Sequence, residues 1–514
     1  MLTAKSFRAL QARTHIDTDF LVGESVTPLE YFTSCQEYVQ NKLPNNYYKP
    51  DFGDQQYRAE YMDRLISEFI SERPVPVEGY VSDEGLLDRD RLAQDLSDRM
   101  QGLGILKLAF EDPEIDEIQI NDYKTIFVVR KGVTEPYMDK MGRPLMFNNN
   151  EEIISLLNRI TNDNTGNAPT FNPGNPIFNA KTAKEQYRIN AVHPVANTPN
   201  PYSDIKEVTS VVIRKFKEVK LQLADLVKYG TVTDKMGLFI SLSGRAEVKI
   251  FCVGPTGSGK TTLLNIVANV IPHEKRIILV QNPTEITIFE NGTDGRNHRN
   301  VVHWEVFEKS SADKDSAATM PNLISNTLRA TPEVIIVGES RAPQEFAQLQ
   351  RASMTGHRIL STFHAEDEID AVSRFASELQ AGTGANLSEA KASACRTMNI
   401  VITQYRFSNG DRRIMSISEI LGYDPDKGEP IVNKLFAYEL TGEMIKQDNG
   451  LIKTVGEFKF LNPISERLEQ AFYKAGVSKA QIRPFIPKER GGTFNKNPVL
   501  TEEEKGMYDL TSII

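Results

Sequence analysis

The 514 residues carry 60 Lys+Arg against 69 Asp+Glu, a net charge of −9, with 40% hydrophobic and 25% charged residues. At roughly 150 residues per domain this is about three globular domains, which excludes a disordered or fibrous chain and argues against a surface built as a general trap for nucleic acid. Cys35, Cys252 and Cys395 are too few and too scattered for a cysteine-built zinc site or disulfide scaffold; they fit a reducing compartment.

Taken in chain order, residues 1–80 read as an N-terminal helical appendage and linker, closing near Pro74-Val-Pro76. Residues 81–235 read as an α+β domain. Leu92, Leu96, Met100 and Leu103 have helical spacing, and Asp112-Pro113 breaks it. Ile118/Ile120 and Ile126/Val128 about Asn121-Asp122 predict a hairpin, followed by a helix over 151–162 and a strand at Val211–Ile213. From 236 to 445 the pattern changes to short apolar strands at 248–253, 277–280, 334–337, 358–362 and 398–403, separated by helical stretches. Such alternation predicts an α/β domain with a mostly parallel sheet. Residues 446–514 read as a helical tail, with a helix opened at Ser465 and stopped at Gly476; the last 25 residues are expected to be mobile. No apolar run approaches the roughly 20 residues of a membrane span, and the N-terminus shows no signal-peptide core.

Chemistry enters at the first of the short strands. Val248–Val253 runs into Gly254, Pro255, Thr256, Gly257, Ser258 and Gly259, then Lys260, Thr261 and Thr262, and apolar residues follow at helical spacing. This is a P-loop in its strand–loop–helix context. The glycines let backbone N–H groups converge on the phosphates of ATP, and the helix N-terminus adds partial positive charge. Lys260 is placed for the β/γ oxygens and the Thr261 hydroxyl for Mg²⁺. Glu339, after Val334–Val337, is expected at the end of a buried strand beside the P-loop strand, where it could hold Mg²⁺ or polarise the attacking water.

The run Thr327-Leu-Arg-Ala-Thr-Pro-Glu333 through Ile-Ile-Val-Gly-Glu-Ser-Arg341, then Gly356-His357 and Leu360-Ser-Thr-Phe-His-Ala365, resembles the type II/type IV secretion ATPase family. Gly102–Leu106 with Asp112–Asn121, Tyr187–Val192, Ile213–Phe216, Asp411–Glu419, and Pro463–Leu468 through Ala475-Gly476 are similar to further parts of it, the last to its Tad pilus and type IV secretion branch. The resemblance implies a RecA-like P-loop core preceded by an α+β domain. It further implies a homo-oligomeric ring, usually a hexamer, that is cytoplasmic and peripheral at the membrane. Such a ring would hydrolyse ATP with Mg²⁺ and act on an inner-membrane platform protein, without sequence-specific nucleic acid as a direct partner. By the same resemblance Glu339 is the base or water-polarising acid, Arg341 couples nucleotide to ring, His364 senses the γ-phosphate or the neighbouring subunit, and His357 supports it. Arg188 and Arg214 match positions from which the N-terminal domain reaches the phosphates.

The sequence departs from that family where an acidic box is expected. Ile278-Leu-Val-Gln-Asn-Pro-Thr-Glu285 carries Gln281 and Asn282 in place of acids and leaves Glu285 alone. An amide cannot take a proton or neutralise a cation. Three readings therefore stay open: a motor, an ATP-gated docking switch with weak hydrolysis, and a nucleic-acid translocase on the same core. Asn179-Ala-Lys181 stands where the branch usually carries an arginine, and Glu366 where asparagine is common.

Overall fold

The structure, a computed structural model, describes residues 26–44, 55–81, 86–138, 142–161, 170–182, 187–199, 201, 204–215, 221–282, 284–288, 298–306, 318–447 and 451–507. It divides into two compact units, Met1–Lys217 and Glu218–Ile514.

In the first unit, helices α1 (Pro28–Lys42), α2 (Gln55–Glu72) and α3 (Arg89–Gln101) share one apolar core. Tyr31, Phe32, Cys35, Ile66, Phe69, Leu92 and Leu96 are buried in it. Thr27 and Glu30 form a capping box that fixes the start of α1. The expected boundary at 80/81 therefore does not separate an appendage from a domain, because α3 packs with the helices before it. After the short α4 (Lys107–Glu111) comes an antiparallel sheet of order β3-β2-β1-β6-β5-β4. Its strands are β1 (Ile115–Asp122), β2 (Thr125–Arg130), β3 (Val133–Pro136), β4 (Ile177–Lys181), β5 (Arg188–Val192) and β6 (Ser210–Arg214). Strict alternation sends Ile118, Ile120, Ile189, Val211 and Ile213 to a core shared with α5 (Asn150–Thr161). Arg159 of α5 donates to the carbonyls of Arg99, Met100 and Gly102, closing the end of α3. Lys215 is held likewise by the carbonyls of Ala109, Phe110 and Asp112.

In the second unit α6 (Leu223–Lys228) and α7 (Asp234–Arg245) lead into the sheet. The expected domain boundary at 235 falls inside α7. The parallel strands are β7 (Ile250–Val253), β8 (Ile277–Gln281), β9 (Val301–Glu305), β10 (Val334–Val337), β11 (Arg358–Phe363) and β12 (Ile400–Arg406). Antiparallel β13 (Arg412–Asp424), β14 (Glu429–Lys446) and β15 (Ile452–Phe460) extend it. Among the described residues the order is β15-β14-β13-β12-β7-β11-β10-β8-β9. Helices cover both faces: α8 (Lys260–Asn269), α9 (Met320–Thr327), α10 (Pro343–Met354), α11 (Glu368–Thr383) and α12 (Leu387–Thr397). β7, β8, β10 and β11 are buried along their whole length, which is why β7, β10 and the first four residues of β8 are unbroken apolar runs.

The ATPase-like sheet does not stop at 445, since β14 and β15 carry it on to Phe460. The residues after it are not a loose tail either. Helices α13 (Glu466–Lys474), α14 (Lys479–Ile482) and α15 (Glu502–Met507) follow, and Leu468, Phe472, Ile482, Phe485 and Leu500 enter the same core as Phe239, Phe436 and Phe460. Within the stretch expected to be mobile, residues 490–507 are described and pinned to the start of α7. Lys235, fully buried, lies 3.4 Å from both Glu504 Oε2 and Asn495 Oδ1, and Leu500 N–H donates to Asp234. The expectation of mobility is corrected there; residues 508–514 lie outside the described residues.

Candidate active site

The P-loop adopts a backbone that its glycines make possible. Gly254 has φ +149°, and a Cβ there would stand 2.1 Å from the carbonyl oxygen of Gln404; Gly259, which starts α8, has φ +100°. The loop thus curls against the end of β12 with no room for a side chain. Ser258 is fully buried and its Oγ has no hydrogen-bond partner among the described residues. Lys260, 6% exposed, donates to Pro255 O at 3.0 Å, which folds its side chain back along the loop.

Lys260 Nζ also lies 3.5 Å from His364 Nδ1, and His364 Nε2 lies 3.0 Å from Glu339 Oε1. Glu339 Oε2 accepts from Arg341 Nη2 at 2.5 Å. One connected line, Lys260–His364–Glu339–Arg341, therefore crosses the carboxyl ends of three strands. The acid was expected on the strand beside the P-loop strand, and the order β7-β11-β10 corrects that. β11 stands between them and carries His364 at its end, so the imidazole bridges the gap the extra strand creates.

Burial alone would push the Glu339 carboxyl upward. The hydrogen bond and charge of Arg341, joined by His364 and Lys260, outweigh it and hold the carboxyl below its ordinary range. For His364, burial and then the Lys260 ammonium lower the pKa, and Glu339 opposes them without reversing the result. The imidazole is thus neutral at pH 7. The arrangement fits a tautomer with Nε2–H donating to Glu339 and Nδ1 accepting from Lys260. Arg341 N–H donates to Glu345 Oε2 at 2.7 Å, and the charge of Glu285 also acts on Arg341.

Gln281 answers the question raised by the missing acids. It is 1% exposed at the end of β8. Its Oε1 accepts from the N–H groups of Glu285 (3.0 Å) and Ile286 (2.8 Å), and its Nε2 donates to Ile286 O at 3.0 Å. The amide folds the segment after β8 back on itself and seats Ile286 and Ile288 in the core. A carboxylate could accept both bonds but could not donate the third. Asn282 is exposed and Glu285 half-buried.

Other expected site residues are placed differently. His357 sits before the first residue of β11, with Nδ1 3.0 Å from Thr355 Oγ1. Six residues of extended strand put it about 20 Å from His364, at the opposite edge of the sheet. The structure does not bring it to the site, and this corrects the expectation that it supports His364. Arg188 and Arg214 face each other across β5 and β6. The same cross-strand row holds Glu117 on one side and Lys181 on the other, on the face opposite the core residues Ile118, Ile189 and Ile213. Three cations thus line up on the polar face of the N-terminal sheet. Pro255, Thr256 and Thr262 lie in the loop and first turn as expected. Gln404, Arg406 and Arg412 were missed: Arg412 Nε donates to Gly257 O at 3.3 Å, and Arg406 and the Gln404 side chain approach Gly257 and Gly259. The hairpin β12–β13 brings them there, a proximity no local pattern in Asp411-Arg-Arg413 announces.

Sequence comparison adds kinship. The family described as Type II/IV secretion system protein matches residues 178–405, from β4 through the P-loop, Glu339 and His364 to β12. Over that stretch, less than half of its length, the chain is similar to type II/type IV secretion ATPases. It is 25% identical over 355 residues to an uncharacterised protein of Methanocaldococcus jannaschii, covering 68% of this chain and 58% of that one. It is 29% identical over 181 residues to type II secretion system protein E of Pectobacterium carotovorum, 35% of this chain and 32% of the relative. The chain thus spans little more than half the first relative and a third of the second. Among solved structures, the ATPase DotB of Legionella pneumophila is 18% identical, with a TM-score of 0.41 over 59% of this chain and 76% of that one.

The likeness implies nucleotide binding, for which Mg²⁺ is the typical companion ion. The donor set fits a small hard cation: a hydroxyl on Thr261 and a carboxylate held ionised on Glu339 are oxygen ligands of the kind Mg²⁺ takes. Among the described residues no helix is long and apolar enough to cross a membrane.

Proposed function

We propose that this chain is the ATP-hydrolysing subunit of a ring motor of the Tad pilus and type IV secretion branch. In this reading it forms a hexamer, sits peripherally on an inner-membrane platform protein at the cytoplasmic face, and powers pilus assembly, protein secretion or conjugative transfer. The observation that supports the reading is the line Lys260–His364–Glu339–Arg341. It pairs the phosphate-binding lysine with an ionised carboxylate through a neutral imidazole.

In this mechanism the P-loop amides and Lys260 hold the β- and γ-phosphates, with Thr261 and Glu339 as the residues that would ligate Mg²⁺. When held by these two residues, Mg²⁺ would supply neutralisation of charge developing on the phosphoryl oxygens. Glu339 has both oxygens engaged, by His364 and by Arg341. A γ-phosphate beside Lys260 offers both hydrogen-bond donors, the neutral imidazole and the guanidinium, a stronger acceptor, and their departure frees the carboxylate to orient and deprotonate water. On the polar face of the N-terminal sheet, Lys181, Arg188 and Arg214 form a row of ammonium and guanidinium groups of the kind suited to phosphate. Replacing Glu339→Gln is expected to keep ATP binding and lower turnover by about 10²-fold or more. Unchanged turnover would remove Glu339 from the chemistry.

The Gln281 clamp favours a second reading, an ATP-gated switch that hydrolyses slowly, because an acid of the family's box has become a structural amide. Robust Mg²⁺-dependent turnover by the purified chain with anionic vesicles would exclude it.

A further inference from the structure

At the edge of the sheet opposite the P-loop, five residues back along β7 and so about 16 Å away, a groove of about 440 Å³ opens between the strand starts and α13. Lys249 and Asn399 form its floor, and the helix face Arg467, Gln470 and Lys474 forms its wall. The helical spacing places these three on one side of α13 while Leu468 and Phe472 go to the core. Three cations therefore converge where the sheet's own nucleotide site is not.

Glu247 and Glu419 also line the groove, and each has a partner of its own. Glu419 accepts from Ser465 N–H and Oγ–H and from Asn433 Nδ2, and Glu247 lies 3.8 Å from Lys275. Among the described residues Arg467 and Lys474 have no hydrogen-bond or ion-pair partner. Lys249 donates to Ser353, and burial together with the charge of Arg467 lowers its pKa. Three cations against two carboxylates leave the groove with a net positive lining, in a volume within the usual range for small-molecule sites of about 300–1,000 Å³.

We propose that this groove binds a small phosphorylated metabolite carrying two or more negative charges, with Arg467 as the bidentate phosphate ligand and Lys474 and Lys249 beside it. A guanidinium with free N–H groups matches phosphate geometry, and two further ammonium groups match a diphosphate's charge. The site is separate from the P-loop and does not depend on the chain hydrolysing ATP. Because β7 runs from Lys249 directly into Gly254, an occupant here touches the strand that carries the P-loop.

The test uses the full chain, its P-loop filled with ADP, titrated with pyrophosphate in a calorimeter. One saturable site per chain is expected, weakened at least tenfold in the double variant Arg467→Gln/Lys474→Gln. The site should persist in Lys260→Ala without ADP, which separates it from nucleotide binding at the P-loop. Absence of saturable binding, or equal binding by the double variant, overturns the proposal. So does a variant that binds no less pyrophosphate but changes its oligomeric mass, which would make the groove a contact between subunits.

Discussion

The Gln281 clamp can be tested by Gln281→Leu, which keeps the bulk and deletes every hydrogen bond. Ile286 N–H and C=O are then both orphaned in a fully buried place. At about 1–3 kcal/mol for each buried backbone group left without a partner, the loss is about 3 kcal/mol. The Glu285 N–H adds little, since that residue is half-exposed and water can reach it. Gln281→Glu keeps the acceptor and loses one donor, so its cost is about 1–2 kcal/mol at neutral pH. There the protonated carboxyl can donate to Ile286 O while the carboxylate cannot. The folded state therefore raises the carboxyl's pKa, and the penalty shrinks as pH falls. The single tryptophan, Trp304, reports on this place, because it pairs with Val280 in the adjoining strand. Urea unfolding followed by Trp304 emission measures both variants. A Gln281→Leu chain within 0.5 kcal/mol of wild type (against the loss of about 3 expected above), with unshifted emission, would refute the clamp.

His364 should give the chain an acid-sensitive step. Its folded pKa lies below the ordinary 6.5, so the unfolded chain binds more protons as pH drops from 6.5, and stability falls in that window. Glu339 has the opposite kind of depression, and its contribution persists above 4.5 and is lost as pH falls through its lower folded value. In His364→Gln the decline beginning near pH 6.5 should shrink in a series of thermal melts, leaving the share of His303, whose burial shifts it the same way, while the lower decline remains. Gly254→Ala forces a Cβ 2.1 Å from Gln404 O and should weaken ATP binding more than about tenfold by fluorescent-nucleotide titration; retained affinity would show that the loop can move aside. Lys235→Ala leaves Glu504 buried without its cation, at a cost of about 3 kcal/mol, and should expose the segment after 490 to limited proteolysis.

The parallel strands were legible because both faces of each are buried, so Ile277–Val280 and Val334–Val337 are uninterrupted apolar words. The P-loop was legible because its chemistry is local. What escaped the sequence depends on distant partners. β14 carries Lys434, Glu439 and Glu443 on a half-exposed ribbon, so its pattern does not mark it as sheet, and the domain was ended at 445 while strands continued. Which strand neighbours β7 is a matter of topology, and that decided how Glu339 and Lys260 are connected. The amide of Gln281 read as a lost acid until its three backbone partners were visible.

The P-loop helix α8 is fixed at both ends. Its N-terminus is wedged by Gly254 against β12, and at its C-terminus Arg299 donates to the carbonyls of Asn269 and Ile271. Arg299 is in turn bonded through its carbonyl to the first residue of the edge strand β9. A helix held this way behaves as a strut, since neither end can fray to absorb a load. A phosphate held at Lys260 would bear on a helix that Arg299 ties to the rim strand of the sheet, a route by which stiffness could serve as a means of transmission.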